Sequence, residues 1–174
     1  MGDFEGDTPE AMAGAKPAHN AIRENLSIFI GGYFKKNKGC RSYSSDQRVR
    51  VDENGLFTYP DLVVVCGKPE FTNDSLINPV LIVEVLSKST ADYDRSGKFE
   101  LYRGIASFRE YLLVDSQRVY VELHRKNDEG LWILAAELRS LNDSVTLQTI
   151  GLNISLQDIY SDTEDLPNVM FEIR

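Results

Sequence analysis

The sequence predicts an α+β fold: a mixed or antiparallel β-sheet flanked by an N-terminal helix and by a second helix that follows a strand carrying Glu84. Three observations carry this expectation. A stretch near the start repeats apolar residues at helical spacing. The rest of the chain holds short apolar runs of strand-forming residues bounded by turn signals. The connections between the later runs are short, which suits antiparallel pairing.

The elements follow in order. "HNAIRENLSIFIGGYF" places Ile22, Leu26, Phe29 and Tyr33 on one helical stripe, and Gly31-Gly32 weakens its end. "RSYSSDQRVRVDENGLFTYPDLVVVCG" reads as two strands joined at Asn54-Gly55, a dipeptide suited to a tight hairpin turn. Gly67 to Asn78 is expected to be a loop and Pro79 to Leu86 a strand. "STADYDRSGKFELYRGI" is expected to be one helix, with Ser89 or Thr90 as N-cap and Asp92 available for a capping box. Glu110 to Asp115, Arg118 to Arg125, Trp132 to Leu138 and Val145 to Ile150 read as further strands. A short final helix is expected near Ser155.

Composition narrows the function classes. The 174 residues, 42% hydrophobic and 26% charged, suit one globular domain. No run is apolar and long enough to predict a membrane span, and "MGDFEGDTPE" lacks the apolar region of a secretory signal. Cys40 and Cys66 form no C-x-x-C pair, so neither a zinc half-site nor a disulfide framework is expected, and a reducing cytoplasm is the plain reading. A net charge of −8 argues against a generic nucleic-acid binder. Its distribution is uneven. Residues 19–50 carry seven Lys/Arg against two acids, and residues 127–174 carry two against nine. The basic segment suits either a phosphate-facing side or a solvated helix face.

The chemistry concentrates on two carboxylates. In "NPVLIVEVLS", Glu84 shares a strand face with Ile82 and Leu86, and neither face is polar enough to be solvated. Burying an ionised carboxylate costs several kcal/mol, on the order of general solvation estimates, unless a cation or metal ion compensates. In "YPDLVVVCG", Asp61 repeats the theme beside Val63 and Val65, directly after Pro60, which cannot donate to a strand ladder. If the two strands are neighbours, Asp61 and Glu84 would offer the hard oxygen ligands that magnesium takes. Spacing alone favours structural ion pairs over a metal pair. Downstream, Asp94 and Lys98 stand at i, i+4. They form either an exposed helical ion pair or a device that aims Lys98 back at the carboxylates.

"PAHN", "RVRV", "GLFTYPDLVVVCG", "NPVLIVEVLSKST", "DYDRSGKFELYR" and "REYLLVD", in this order between about Ala11 and Tyr160, resemble the Uma-two family of restriction endonucleases, within the PD-(D/E)XK nuclease superfamily. The resemblance implies a single domain over residues 1–174 with a restriction-endonuclease-like core, residues 1–10 forming a poorly ordered tail. It implies Asp61 and Glu84 as catalytic carboxylates and ligands to Mg2+ or Mn2+, joined by a backbone carbonyl of Val85 or Leu86. Leu86 stands where the superfamily pattern carries lysine, and the family pattern instead makes Lys98 a migrated catalytic lysine. His19 matches a histidine of the family's first helix, as a catalytic or phosphate contact or as a core histidine. DNA as substrate and 5′-phosphate ends belong to the same implication; the cytoplasmic location rests on the cysteines, and a homodimer suits an enzyme that cuts both strands, though no motif demands it. The rival implication is a non-catalytic DNA- or protein-binding member of the same fold. No nucleotide-binding glycine motif is present.

Overall fold

The structure, a computed structural model, describes residues 16–163; the expected tail, residues 1–10, lies outside the described residues. Helix α1 (Pro17–Lys36) opens the fold, with proline in its first turn where the missing N–H costs nothing. Its buried stripe is Ala18, Ile22, Leu26, Ile30 and Phe34. The expected Phe29 and Tyr33 are displaced from that stripe, because a strict i+4 row carries the contact with the sheet. Strands β1 (Cys40–Ser44), β2 (Arg48–Arg50), β3 (Phe57–Thr58) and β4 (Leu62–Cys66) follow, then β5 (Phe71–Thr72), β6 (Ser75–Leu76) and β7 (Leu81–Leu86). Helices α2 (Ala91–Arg95) and α3 (Gly97–Tyr102) lead to β8 (Glu110–Asp115), β9 (Val121–Lys126), β10 (Trp132–Leu138), β11 (Ser144–Leu147), β12 (Leu152–Ser155) and α4 (Leu156–Ile159).

The main sheet is mixed, as expected. It has six strands in the order β1-β4-β7-β8-β9-β10, and only β7 and β8 run parallel, joined by the α2–α3 crossover. Every residue of β7 and β8 is buried, which explains their near-continuous apolar sequences. Alternation then divides the core in two. Leu62, Val64, Leu81, Val83 and Val85 pack with Ile22, Leu26 and Ile30 of α1 and with Leu156 and Ile159 of α4. Val63, Val65, Ile82 and Leu86 pack with Phe99, Tyr102, Phe108 and Tyr111 on the other face.

Four expectations need correction. The Asn54-Gly55 turn does close a hairpin, but between β2 and β3 in a separate small sheet; β4 pairs with β1 and β7 instead. The expected loop from Gly67 contains a second hairpin, β5–β6, turned by Asn73 and Asp74, both in the left-handed region. The single helix after Glu84 is broken at Ser96, and Thr90 makes no side-chain cap bond to it. At the break the Tyr93 ring lies where a Cβ on Gly97 would stand, 2.8 Å away. Finally, Cys40 and Cys66 form a disulfide. Antiparallel pairing of β1 with β4 sets them opposite one another, a proximity that a 26-residue separation concealed. The cysteines therefore no longer speak for a reducing compartment. Among the described residues no helix is long and apolar enough to cross a membrane.

Candidate active site

The site forms where β4 leaves the sheet. The β4–β7 ladder ends at the Leu62–Val83 pair. Beyond it Pro60 has no N–H to offer, and the Asp61 and Glu84 side chains continue the pairing in place of backbone. The Val85 N–H donates to Asp61 Oδ2 at 2.8 Å, and the Asp61 N–H donates to Glu84 Oε1 at 3.3 Å. Neighbouring strands thus bring the two acids together, as the paired acid-in-apolar-run pattern predicted.

Basic side chains approach from both faces of the sheet. From α1, Arg23 donates to Asp61 Oδ1 at 3.3 Å, and His19 Nε2 lies 3.7 Å from Asp61 Oδ2. The other ring nitrogen of His19, Nδ1, is buried without a partner among the described residues. From the opposite face, Lys98 Nζ lies 3.0 Å from Glu84 Oε2 and 3.2 Å from Asp94 Oδ1. The Tyr102 hydroxyl donates to Glu84 Oε2 at 2.9 Å and is 2.8 Å from the Thr58 hydroxyl. Asp94, Lys98 and Tyr102 share one stripe at i, i+4 and i+8, which the break at Ser96 does not disrupt. Asp94 is only 3% exposed, so the Asp94–Lys98 pair is not the surface pair that spacing allowed.

Electrostatics follow from the count. One ammonium faces two buried carboxylates and cannot neutralise both. Burial pushes the Glu84 carboxyl up to about 8; Lys98 opposes this, and the charges of Asp61 and Asp94 add to it. Asp94 is raised too, by burial first, with Lys98 offsetting part of the effect. Burial works against the Lys98 ammonium, but Glu84 and Asp94 outweigh it and hold the group protonated. Tyr102 is raised by burial and by Glu84, so it stays a hydrogen-bond donor.

Of the backbone carbonyls expected to join a metal site, that of Leu86 already accepts from the Ser116 N–H and hydroxyl, at 3.0 and 2.5 Å. Val85 is the candidate that remains. No three His, Cys, Asp or Glu side chains among the described residues are spaced to share a metal ion. Magnesium does not require three, since it commonly takes one or two carboxylates, waters and substrate phosphate oxygens. The donors fit such an ion in their chemistry: Asp61 and Glu84 offer hard carboxylate oxygens that meet at one strand end.

The basic segment is divided among several elements. Arg23 serves Asp61, Arg48 and Arg50 lie in the small sheet, and Lys35, Lys36 and Lys38 stand exposed at the far end of α1. Lys35 is about 18 Å from Arg23 by helical rise. Sequence reasoning overlooked Arg23 and Tyr102 and left Asp94 ambiguous. The i+4 steps from His19 to Arg23 and from Asp94 through Lys98 to Tyr102 were the signals available.

The mixed sheet thus sets two carboxylates and a lysine together at a strand end. The model of the family Uma2, described as "Putative restriction endonuclease", matches residues 5–157, and the chain belongs to this family. Two uncharacterised proteins of Synechocystis sp. are similar. One, slr1290, is 35% identical over 151 residues, 86% of this chain and 78% of that protein. The other, sll1609, is 38% identical over 129 residues, 71% of each. A crystal structure from Anabaena variabilis, described as "a putative nuclease belonging to DUF820", superposes with a TM-score of 0.67. It is 17% identical and covers 84% of this chain and 82% of that one. At that identity it shows the fold alone.

Proposed function

We propose that this chain is a metal-dependent endonuclease that hydrolyses phosphodiester bonds in DNA. The observation that carries the reading is Glu84, a buried strand carboxylate set beside Asp61 and sharing its one lysine with Asp94. Asp61 and Glu84 would hold Mg2+ or Mn2+, with the Val85 carbonyl as the backbone candidate. When bound, such an ion supplies Lewis-acid polarisation of phosphate and a more acidic water.

The chain's own residues have distinct tasks. Tyr102 donates to Glu84 and fixes the orientation of its carboxylate. Asp94 and Glu84 keep Lys98 protonated and point its ammonium into the site, where it can hold an attacking water and offset charge developing on phosphate. Arg23, half-exposed on the outer side of Asp61, can turn to a substrate phosphate. His19 positions Asp61 from α1. Cleavage of both strands would suit a two-fold dimer, and a cytoplasmic location suits DNA as substrate.

A second reading rests on a specific observation. Arg23 and Lys98 already pair with Asp61 and Glu84, as they would in a binding protein whose acids are structural.

Incubation of plasmid and linear DNA with Mg2+, with Mn2+ or with chelator separates the two. The wild type is expected to cut only with metal. Glu84→Gln should be inactive, and Lys98→Met should fall by about a hundredfold or more, the typical loss of a group that stabilises transition-state charge. Intact DNA under every metal condition would favour the binding reading.

A further inference from the structure

The small sheet beside the active site carries a cleft that the catalytic reading does not use. Its volume is about 360 Å3, and Arg48, Arg50, Phe57, Asn73 and Ser75 are among its walls, with Glu53 the single acid beside the two arginines. Both arginines are held by backbone carbonyls. Arg50 donates to the carbonyls of Asp52 and Glu53, at 2.6 and 2.5 Å, and Arg48 donates to that of Asn73. Carbonyls fix a guanidinium without neutralising it, and neither arginine forms an ion pair among the described residues. The result is two pre-positioned positive charges on a chain of net charge −8.

Aromatic surface adjoins them. The Arg48 guanidinium lies 4.9 Å over the Phe57 ring. Phe57 is 41% exposed, and Tyr59, 52% exposed, packs edge-on against it. The turn that presents this surface is braced, because Asp52 accepts from the N–H groups of Asn54 and Leu56, and Gly55 takes the positive φ that the turn requires. The chain ties this surface to the active site. Thr58, between the two rings, turns inward to Tyr102, and Asp61 lies four residues beyond Phe57. That is at most about 14 Å of extended chain.

Resting on the nuclease reading, we propose that this cleft holds an unstacked nucleotide of the substrate strand beside the scissile phosphate. Its base stacks on the Phe57–Arg48 platform and its phosphate meets Arg50. Exposed aromatic surface next to two fixed guanidiniums that outnumber the one acid of the cleft is the chemistry that recognises single-stranded nucleic acid. A protein partner would leave those charges unmatched unless it were acidic.

The test measures binding without cleavage, by fluorescence anisotropy of a labelled single-stranded oligonucleotide with chelator present, over a range of salt. Phe57→Ala should weaken binding about tenfold or more, as removal of one base-stacking platform does. Phe57→Leu, which keeps the bulk and protects folding, should lose most of the same affinity. Arg48→Gln combined with Arg50→Gln should flatten the dependence of log K on log salt by about 0.7 for each phosphate no longer neutralised. Thermal melts confirm that each variant is folded. Unchanged affinity and salt slope in these variants would overturn the proposal, as would failure of the wild type to bind any oligonucleotide. Self-association that Phe57→Ala abolishes while DNA binding persists would reassign the surface to a protein interface. Cleavage by the wild type together with unaltered binding by the variants would remove only the cleft. Cleft-dependent binding without cleavage would remove only the catalytic reading.

Discussion

Two glutamates sit inside adjacent parallel strands of the same sheet, Glu84 on β7 and Glu110 on β8, and both are almost fully buried. Glu110 is surrounded by donors. Its register partner Arg125 donates at 2.8 Å, the N–H groups of Gln148 and Thr149 donate at 3.1 and 2.9 Å, and the Thr149 hydroxyl donates as well. Glu84 has Tyr102, one N–H and a lysine that it shares with Asp94, and it faces the charge of Asp61 besides. Burial is therefore the same and satisfaction is not. The comparison teaches that a buried carboxylate points to function when its surroundings leave it underpaired, and to structure when they complete it.

Removing each acid should break this symmetry. Glu110→Gln sets an amide donor among the N–H donors and leaves Arg125 without its carboxylate, so it should cost roughly 3 kcal/mol of stability. Glu84→Gln resembles the protonated acid that the metal-free fold already favours, so stability without metal should hold or rise. Chemical denaturation of the two variants in chelator measures both. Equal, large losses would make Glu84 a structural residue like Glu110.

The same contrast has a pH signature. The Glu84 carboxyl is raised from its ordinary 4.5 to about 8, so between these values the folded chain keeps a proton that the unfolded chain has released. Its contribution to stability is complete below about 4.5 and is lost as pH rises through about 8, at up to about 1.4 kcal/mol per pH unit. Glu122 runs the other way. Burial would raise it, but His124, Tyr120 and Arg95 outweigh burial and bring it down to about 2, so its contribution is present above 4.5 and lost as pH falls toward 2. Melting temperatures in chelator should therefore fall from pH 5 to pH 8 in the wild type and stay flatter in Glu84→Gln. Identical profiles would assign the slope to other groups.

Much of this was legible in the sequence, for local reasons. The runs around Glu84 and Glu110 are too apolar and too short to be anything but buried strands. The i+4 step from Asp94 to Lys98 placed both on one side of the chain. What remained hidden depends on tertiary pairing. That Cys40 meets Cys66, that β4 leaves its own hairpin for β7, and that Glu110 finds Arg125 and Thr149 are facts of register between distant segments. The short hairpin at Asn73-Asp74 escaped notice because its strands are only two residues long, too short for a period to show. The charge imbalance around Glu84 could not be read at all before the donors around it were placed.

The central claim is that Glu84 is kept in an apolar strand to hold a divalent cation. Calorimetric titration of Mg2+ and Mn2+ into the wild type and Glu84→Gln near pH 7 tests it most directly. The wild type is expected to bind the ion with release of a proton, seen as a heat that varies with buffer ionisation, and Glu84→Gln to bind none. Absence of binding to the wild type, with Glu84→Gln strongly destabilised in chelator, would contradict it and make Glu84 the ion-pair partner of Lys98.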